Sequence, residues 1–256
     1  MAEKPLQTSM TAYWDARSSD FDQHQGIRHR VQEQAWLGFL SQVVGTEPKV
    51  VLDVGTGPGF LAVLLAKLGH RVKGLDLSPG MIDQARKIAA NHGLSVTFEV
   101  GDAESLPDAD GQYDAVLNRN VLWTLAHPEK ALADWKRVLK PGSLLVVIDG
   151  DWFDEKFSYR AKRFLGHLLV AVIRRRNSWA AEKRLRQGLD GELGVKLPLK
   201  APGNRQTFPK LVAEAGFTDV RLVDLPGIVR AERAGKLLAQ RLIQPHKFFA
   251  VVARRP

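Results

Sequence analysis

Cysteine is absent from the 256 residues. Disulfides, thiolate metal sites and cysteine nucleophiles are excluded with it. Long apolar runs are absent too: "FLGHLLVAVI" is too short to span a bilayer and contains His167. The opening stretch "MAEKPLQTSMTAYWDARSSDFD" lacks the apolar centre of a secretory leader. A cytoplasmic protein is expected. No His/Asp/Glu spacing reads as a metal site. No internal repeat, low-complexity segment or Pro/Gly/Ser-rich linker divides the chain, so 1–256 is expected to form one domain. Acid is in the minority, with 28 Asp and Glu against 37 Lys and Arg and a formal net charge of +9. Such a balance suits an anionic partner and serves solubility equally well. No separate nucleic-acid-binding module accompanies it, so nucleic acid is not the expected partner.

What is present is a regular alternation. "HRVQEQAWLGFLSQVV" places Val31, Trp36, Phe39, Leu40 and Val43 roughly on one helix face. "KVVLDV" is an apolar run ending in a glycine-rich turn, as a buried parallel strand does. "FLAVLLAKLG" is a helix that Gly69 can end, and "RVKGLDL" a second strand. Ser78 caps a helix with Pro79 at its first position. "SVTFEV" and "YDAVLNR" are strands three and four. "PEKALADWKRVLK" is an amphipathic helix turning Leu132, Trp135, Val138 and Leu139 inward, with Pro141-Gly142 as its stop, and "SLLVVIDG" is the fifth strand. Beyond Asp151 the pattern becomes helical and basic, including Arg174, Arg175 and Arg176. It then returns to a helix, a strand, one further helix over "IVRAERAGKLLAQRLIQ" and a last strand, "HKFFAVVARR". Strand–helix alternation predicts an α/β fold: a parallel sheet covered by helices on both faces, with ligands at the carboxyl ends of the strands.

The glycine loop "LDVGTGPGF", Leu52 to Phe60, admits two ligands. From Gly57, "GPGFLA" satisfies the dinucleotide fingerprint, and Asp76 lies where a ribose-binding acid belongs. Taken alone this supports a dehydrogenase. Asp53 argues the other way, because a carboxylate beside the loop repels a pyrophosphate and attracts a cation. Asp76 ends the second strand, and Asp102 in "GDAESLP" ends the third. Three acids at three consecutive strand ends suit an adenosine that carries positive charge.

"VLDVGTGPGFLAVLLA", "VKGLDLSPGMIDQARK", "GDAESLP", "YDAVLNRNVLWTL" and "ALADWKRVLKPGSLLVVID" together resemble a class I S-adenosylmethionine-dependent methyltransferase, of the group that includes the ubiquinone- and menaquinone-biosynthesis enzymes. Any one of these motifs is weak, and five in order over about residues 48–150 are specific. The resemblance implies a Rossmann-like, doubly wound seven-stranded sheet with its last strand antiparallel, a helical cap over 1–47, a cofactor-binding core over 48–150, a helical lid over 151–205 and the rest of the sheet over 206–256. It implies S-adenosyl-L-methionine as cofactor. Asp53, Gly55, Thr56 and Gly57 would line the methionine end, Asp76 take the ribose hydroxyls and Leu77 lie beside the adenine. Met81 would pack on the adenosine, Asp102 and Ala103 meet the adenine edge, and Asn118 face the methionine amino group through its carbonyl.

The signature specifies the methyl donor and leaves the acceptor open. A general base matters for a hydroxyl or carbon acceptor and hardly for a thiolate or neutral amine. Acceptor-side candidates are Trp14, Arg119, Asp151 and Trp152, with Tyr13 and Trp14 lidding the cofactor. Asp149 is placed above the transferred methyl. Arg119 is suited to the methionine carboxylate or to an acidic substrate. His127 is either a base or a helix cap. The expected acceptor is a small molecule, anionic or lipophilic, and the basic insertion is suited to membrane-surface contact. The Asn-Pro-Pro-Tyr type motif of amino-group nucleic-acid methyltransferases is absent, since the fourth strand ends "NRNV". RNA methylation and a non-catalytic cofactor-binding module are the alternatives. Monomer and homodimer are equally compatible with the sequence.

Overall fold

The computed structural model describes residues 3–18, 29–150, 197–199, 203–234, 236, 238–243 and 248–256, with 162, 164–166, 168 and 169 between them. Helix α1 (Glu3–Asp15) and helix α2 (Arg30–Val44) precede the sheet. Then follow β1 (Val50–Val54), α3 (Phe60–Lys67), β2 (Arg71–Asp76), α4 (Pro79–Asn91), β3 (Thr97–Val100) and β4 (Tyr113–Arg119). After a 3-10 turn (Leu122–Thr124) come α5 (Pro128–Val138) and β5 (Leu139–Gly150). The chain continues with α6 (Asn204–Glu214), β6 (Thr218–Asp224), α7 (Pro226–Arg233), α8 (Leu238–Ile243) and β7 (Phe248–Arg254).

The seven strands lie in the order β3-β2-β1-β4-β5-β7-β6. β1 pairs in parallel with β2 and β4, while β7 runs antiparallel to both β5 and β6. The sheet is the seven-stranded, doubly wound one that the motifs imply. The chain order reverses between β1 and β4, and this leaves a crevice at their carboxyl ends.

Burial on both faces explains why the strands read as unbroken apolar runs. In β1, Leu52 and Val54 pack with Trp135, Phe208 and Val212 of α5 and α6. Val51, one step along, packs on the other face with Trp36, Leu61, Ile82 and Ile228. Ser78 caps α4 as expected: its Oγ accepts from the Met81 amide at 3.1 Å, with Pro79 in the first turn.

Three expectations change in detail. The buried stripe of α2 is Gln32, Trp36, Phe39, Leu40 and Val44, and Val31 is exposed. Gln32 is drawn inward because its side-chain amide donates to Glu232 Oε1 at 2.8 Å. Helix α5 ends at Val138, before Pro141, because Leu139 turns to an extended backbone and pairs with Tyr113. The expected single helix near the C-terminus is two, α7 and α8, broken where Ala234 adopts ψ 133.

Candidate active site

The crevice at the switch point opens into a cavity of about 630 Å³. That is the size range of cofactor sites. Asp53, Gly55, Thr56, Gly57, Asp76, Leu77, Met81, Asp102 and Ala103 all line it, as do Trp14 and Arg119. The three predicted acids therefore share one cavity.

The loop between β1 and α3 takes its shape from glycine. Gly55 and Gly57 lie at φ +63 and +54. A Cβ on Gly55 would stand 2.4 Å from Val121 Cγ2, so the turn admits no side chain there. Three of the loop's amides are bonded within the protein. Thr56 N–H donates to the Leu75 carbonyl at 2.9 Å, Gly57 N–H to Asp76 Oδ2 at 2.8 Å and Gly59 N–H to the Thr56 carbonyl at 3.0 Å. In the first turn of α3, Ala62 N–H donates to Asp53 Oδ2 at 3.1 Å, and the Thr56 hydroxyl donates to the same oxygen at 2.7 Å. One amide of the first helical turn, which could otherwise face an anion, is thus held by an internal carboxylate.

Burial raises the Asp53 carboxyl to about 7, against the lowering effect of the Thr56 and Ala62 hydrogen bonds and the field of Arg119. Burial raises Asp76 as well, opposed by the amides of Ser78 and Gly57. Asp76 Oδ1 accepts from Ser78 N–H at 3.0 Å. A carboxylate offers about four acceptor directions, more than these backbone amides use, so acceptor capacity remains for a ligand hydroxyl. Asp102 Oδ1 accepts from Glu104 N–H at 2.9 Å and so braces the turn after β3. The Ala103 carbonyl accepts from the Trp135 indole at 2.8 Å, which ties that turn to α5.

The cap reaches the cavity through Met10 and Trp14, four residues apart on α1. Asp15 joins it to the core: its Oδ1 accepts from the Ser78 hydroxyl and, at 3.0 Å, from Gly80 N–H. Tyr13 does not line the cavity. It packs edge-on to Trp14 at 4.9 Å, under the Arg17 guanidinium at 3.6 Å.

Asn118 is fully buried in β4 opposite Val147 and is not among the residues lining the cavity. The next two positions, Arg119 and Asn120, line it instead. Asn120 turns the chain at φ +61, with its N–H donating to the Ile148 carbonyl at 2.9 Å. Asp149 is likewise buried away from the cavity, its Oδ1 accepting from Gly150 N–H at 2.7 Å. Asp151, Trp152, His167 and the Arg174–Arg176 run lie outside the described residues. Leu197, near the end of the insertion, does reach the cavity.

Other lining residues escaped the sequence analysis: Met10, Glu104, Asn120, Val121 and Trp123. His127 also lines the cavity. Its backbone occupies the N-cap position of α5, but its side chain makes no cap and pairs through Nδ1 with Glu104 Oε2 at 2.9 Å. Glu104 Oε1 also accepts from the amides of Ala126 and His127, at 2.7 and 3.0 Å, and so ties the loop after β3 to the loop after β4. The spacing of Met10 and Trp14 was a signal that a helical reading of the first segment would have used.

The doubly wound sheet, with its antiparallel seventh strand, thus carries a glycine turn and acids at three strand ends around one cavity. Residues 52–147 match the family model described as methyltransferase domain. The chain is 43% identical over 104 residues to a demethylmenaquinone methyltransferase of Thermus thermophilus, covering 40% of this chain and 47% of that protein. It is 28% identical over 236 residues to the demethylmenaquinone methyltransferase of Renibacterium salmoninarum, covering 90% and 94% of the two chains. The crystal structure of a SAM-dependent methyltransferase from Aquifex aeolicus shares the fold, with a TM-score of 0.61, 18% identity and coverage of 94% and 98%. The chain spans about half the length of several curated relatives it matches.

The cavity fits this cofactor class. Its lining carries the carboxyl groups of Asp53, Asp76 and Asp102 and apolar walls from Leu75, Leu77 and Met81, and the amides of Thr56, Gly57 and Gly59 are bonded within the protein. No helix among the described residues is long and apolar enough to cross a membrane.

Proposed function

We propose that this protein transfers a methyl group from S-adenosyl-L-methionine to a small-molecule acceptor. The observation that carries the reading is the internal use of the glycine-loop amides, above all Gly57 N–H on Asp76. A dinucleotide site would keep those amides for pyrophosphate, whereas here they hold acids in place around the cavity.

The cofactor supplies an electrophilic methyl group on a sulfonium. Asp76 accepts the ribose hydroxyls, and Leu77 and Met81 flank the adenosine. Asp102 and the Ala103 backbone read the adenine edge. The loop of Gly55, Thr56 and Gly57 brings backbone close to the amino-acid end, with Asp53 beneath it. Trp14 and Met10 close the cavity from the cap and limit water, which would compete as an acceptor. The acceptor's lone pair must be held in line with the breaking bond, and the wall formed by Arg119, Asn120, Trp123 and Leu197 is the surface available for that positioning. The acceptor class we favour is a lipophilic or anionic metabolite, since apolar Trp123 and Leu197 line the same cavity as the cation of Arg119.

Calorimetric titration with S-adenosylhomocysteine and, separately, NADH tests the reading. Micromolar binding of S-adenosylhomocysteine alone is expected. Binding of NADH alone would overturn it.

A further inference from the structure

The cap meets the core through a single carboxylate close to the cavity. Met10 and Trp14 of α1 line that cavity, and Asp15 follows directly on Trp14. Asp15 Oδ1 accepts from the Ser78 hydroxyl and, at 3.0 Å, from Gly80 N–H. It thus sits at the N-terminus of α4, where backbone amides point outward and negative charge is favoured. Just beyond α1, Ser18 Oγ donates to the Asp15 carbonyl at 2.9 Å. Gly80 permits this approach, since a Cβ there would stand 2.6 Å from Ser18 Oγ and 3.2 Å from Asp15 Oδ1.

Ser78 serves two acids at once. Its hydroxyl donates to Asp15 on the cap, and its amide donates to Asp76 Oδ1 at the end of β2, at 3.0 Å. It is fully buried, so the path from cap to cavity runs through one residue shielded from water. Burial raises the Asp76 carboxyl, and the field of Asp15 adds to that. Ligand hydroxyls donating to Asp76 would disperse its charge and relieve the repulsion between the two acids. Docking of the cap and occupancy of the Asp76 end then favour each other, and such a linkage is reciprocal.

We infer that Asp15 is the latch of the cap, a positioning residue that holds Met10 and Trp14 over the cavity and, through Ser78, ties closure of the cap to occupancy of the Asp76 end. A ligand held at Asp76 leaves only after the Asp15 contacts break, so the latch sets its residence time. The inference rests on the methyl-transfer reading only in taking S-adenosylhomocysteine as that ligand.

Hydrogen exchange of the α1 amides, measured on the full chain, reads the latch directly. In unloaded protein Asp15→Ala should speed that exchange about tenfold, the scale of one charge-assisted contact, while the amides of β1 and β4 stay as slow as in wild type. Asp15→Asn, which keeps an acceptor oxygen, should recover most of the protection. Gly80→Ala, which keeps the carboxylate and blocks the approach, should speed exchange as Asp15→Ala does. Saturation with S-adenosylhomocysteine should slow α1 exchange in wild type and much less in Asp15→Ala. In stopped-flow displacement, S-adenosylhomocysteine should leave Asp15→Ala about tenfold faster, with association no slower. Wild-type exchange over α1 in both Asp15→Ala and Gly80→Ala overturns the latch. Faster exchange with unchanged dissociation overturns the tie to occupancy. Should S-adenosylhomocysteine fail to bind wild type, the methyl-transfer reading falls, and the comparison in unloaded protein still decides the latch.

Discussion

The amide of Gly57 donates to Asp76 Oδ2 at 2.8 Å, so the end of β2 holds the turn that follows β1. Asp76 therefore carries two duties, bracing the loop and presenting acceptors to the cavity. Asp76→Ala should weaken S-adenosylhomocysteine binding by about 2–4 kcal/mol through loss of charge-assisted hydrogen bonds. Calorimetry measures it, and unchanged affinity would remove Asp76 from the site.

Gly55 and Val121 form a steric pair across the cavity floor, with the missing Cβ only 2.4 Å from Val121 Cγ2. Gly55→Ala meets both that overlap and the cost of positive φ. A destabilisation of about 2–4 kcal/mol is expected. In Gly55→Ala/Val121→Ala the overlap is gone and the backbone cost remains, so part of the stability should return. Denaturant unfolding of both variants checks this. Equal stability of the single and double variants would show that the overlap is relieved some other way.

Asp53 makes stability depend on pH in a direction opposite to most surface acids. Its folded carboxyl is raised from 3.8 to about 7, so the folded state binds the proton more tightly than the unfolded one. That contribution is fully present below the unfolded value, declines as pH rises towards 7, and is lost above it. Asp53→Asn removes the titration. Its melting temperature relative to wild type should climb between about pH 4 and pH 7 and level off beyond. A difference that stays flat across that range would contradict the assignment.

Much of this architecture was legible because parallel strands covered on both faces must be apolar throughout. "VVLDV" and "LLVVI" stand out for that reason, and a charged residue interrupting such a run, as Asp53 does, marks itself. The glycine turn was equally visible. The turn beyond Asn118 was less legible: its side chain shares the sheet face of Val116, and the next residues, with Asn120 at positive φ, carry the side chains that line the cavity. Tyr13 was chosen over Met10 because α1 has little apolar periodicity of its own to show which side faces the core. The ties made by Glu104 to His127 and by Glu232 to Trp36 join residues far apart in sequence, and no local pattern reports them.

The position of β7 governs how the chain comes together in time. It is the last strand in chain order, yet it lies between β5 and β6 and supplies partners to both, from Leu144↔Arg254 to Gly150↔Phe248 on one side and Thr218↔Arg254 to Asp224↔Phe249 on the other. Until it arrives, β5 ends the growing sheet with an open edge and β6 has nothing to join. A nascent chain can assemble the glycine turn and its three acids early. It must then shield an unpaired edge until the final strand is made, the interval in which such edges are exposed to aggregation.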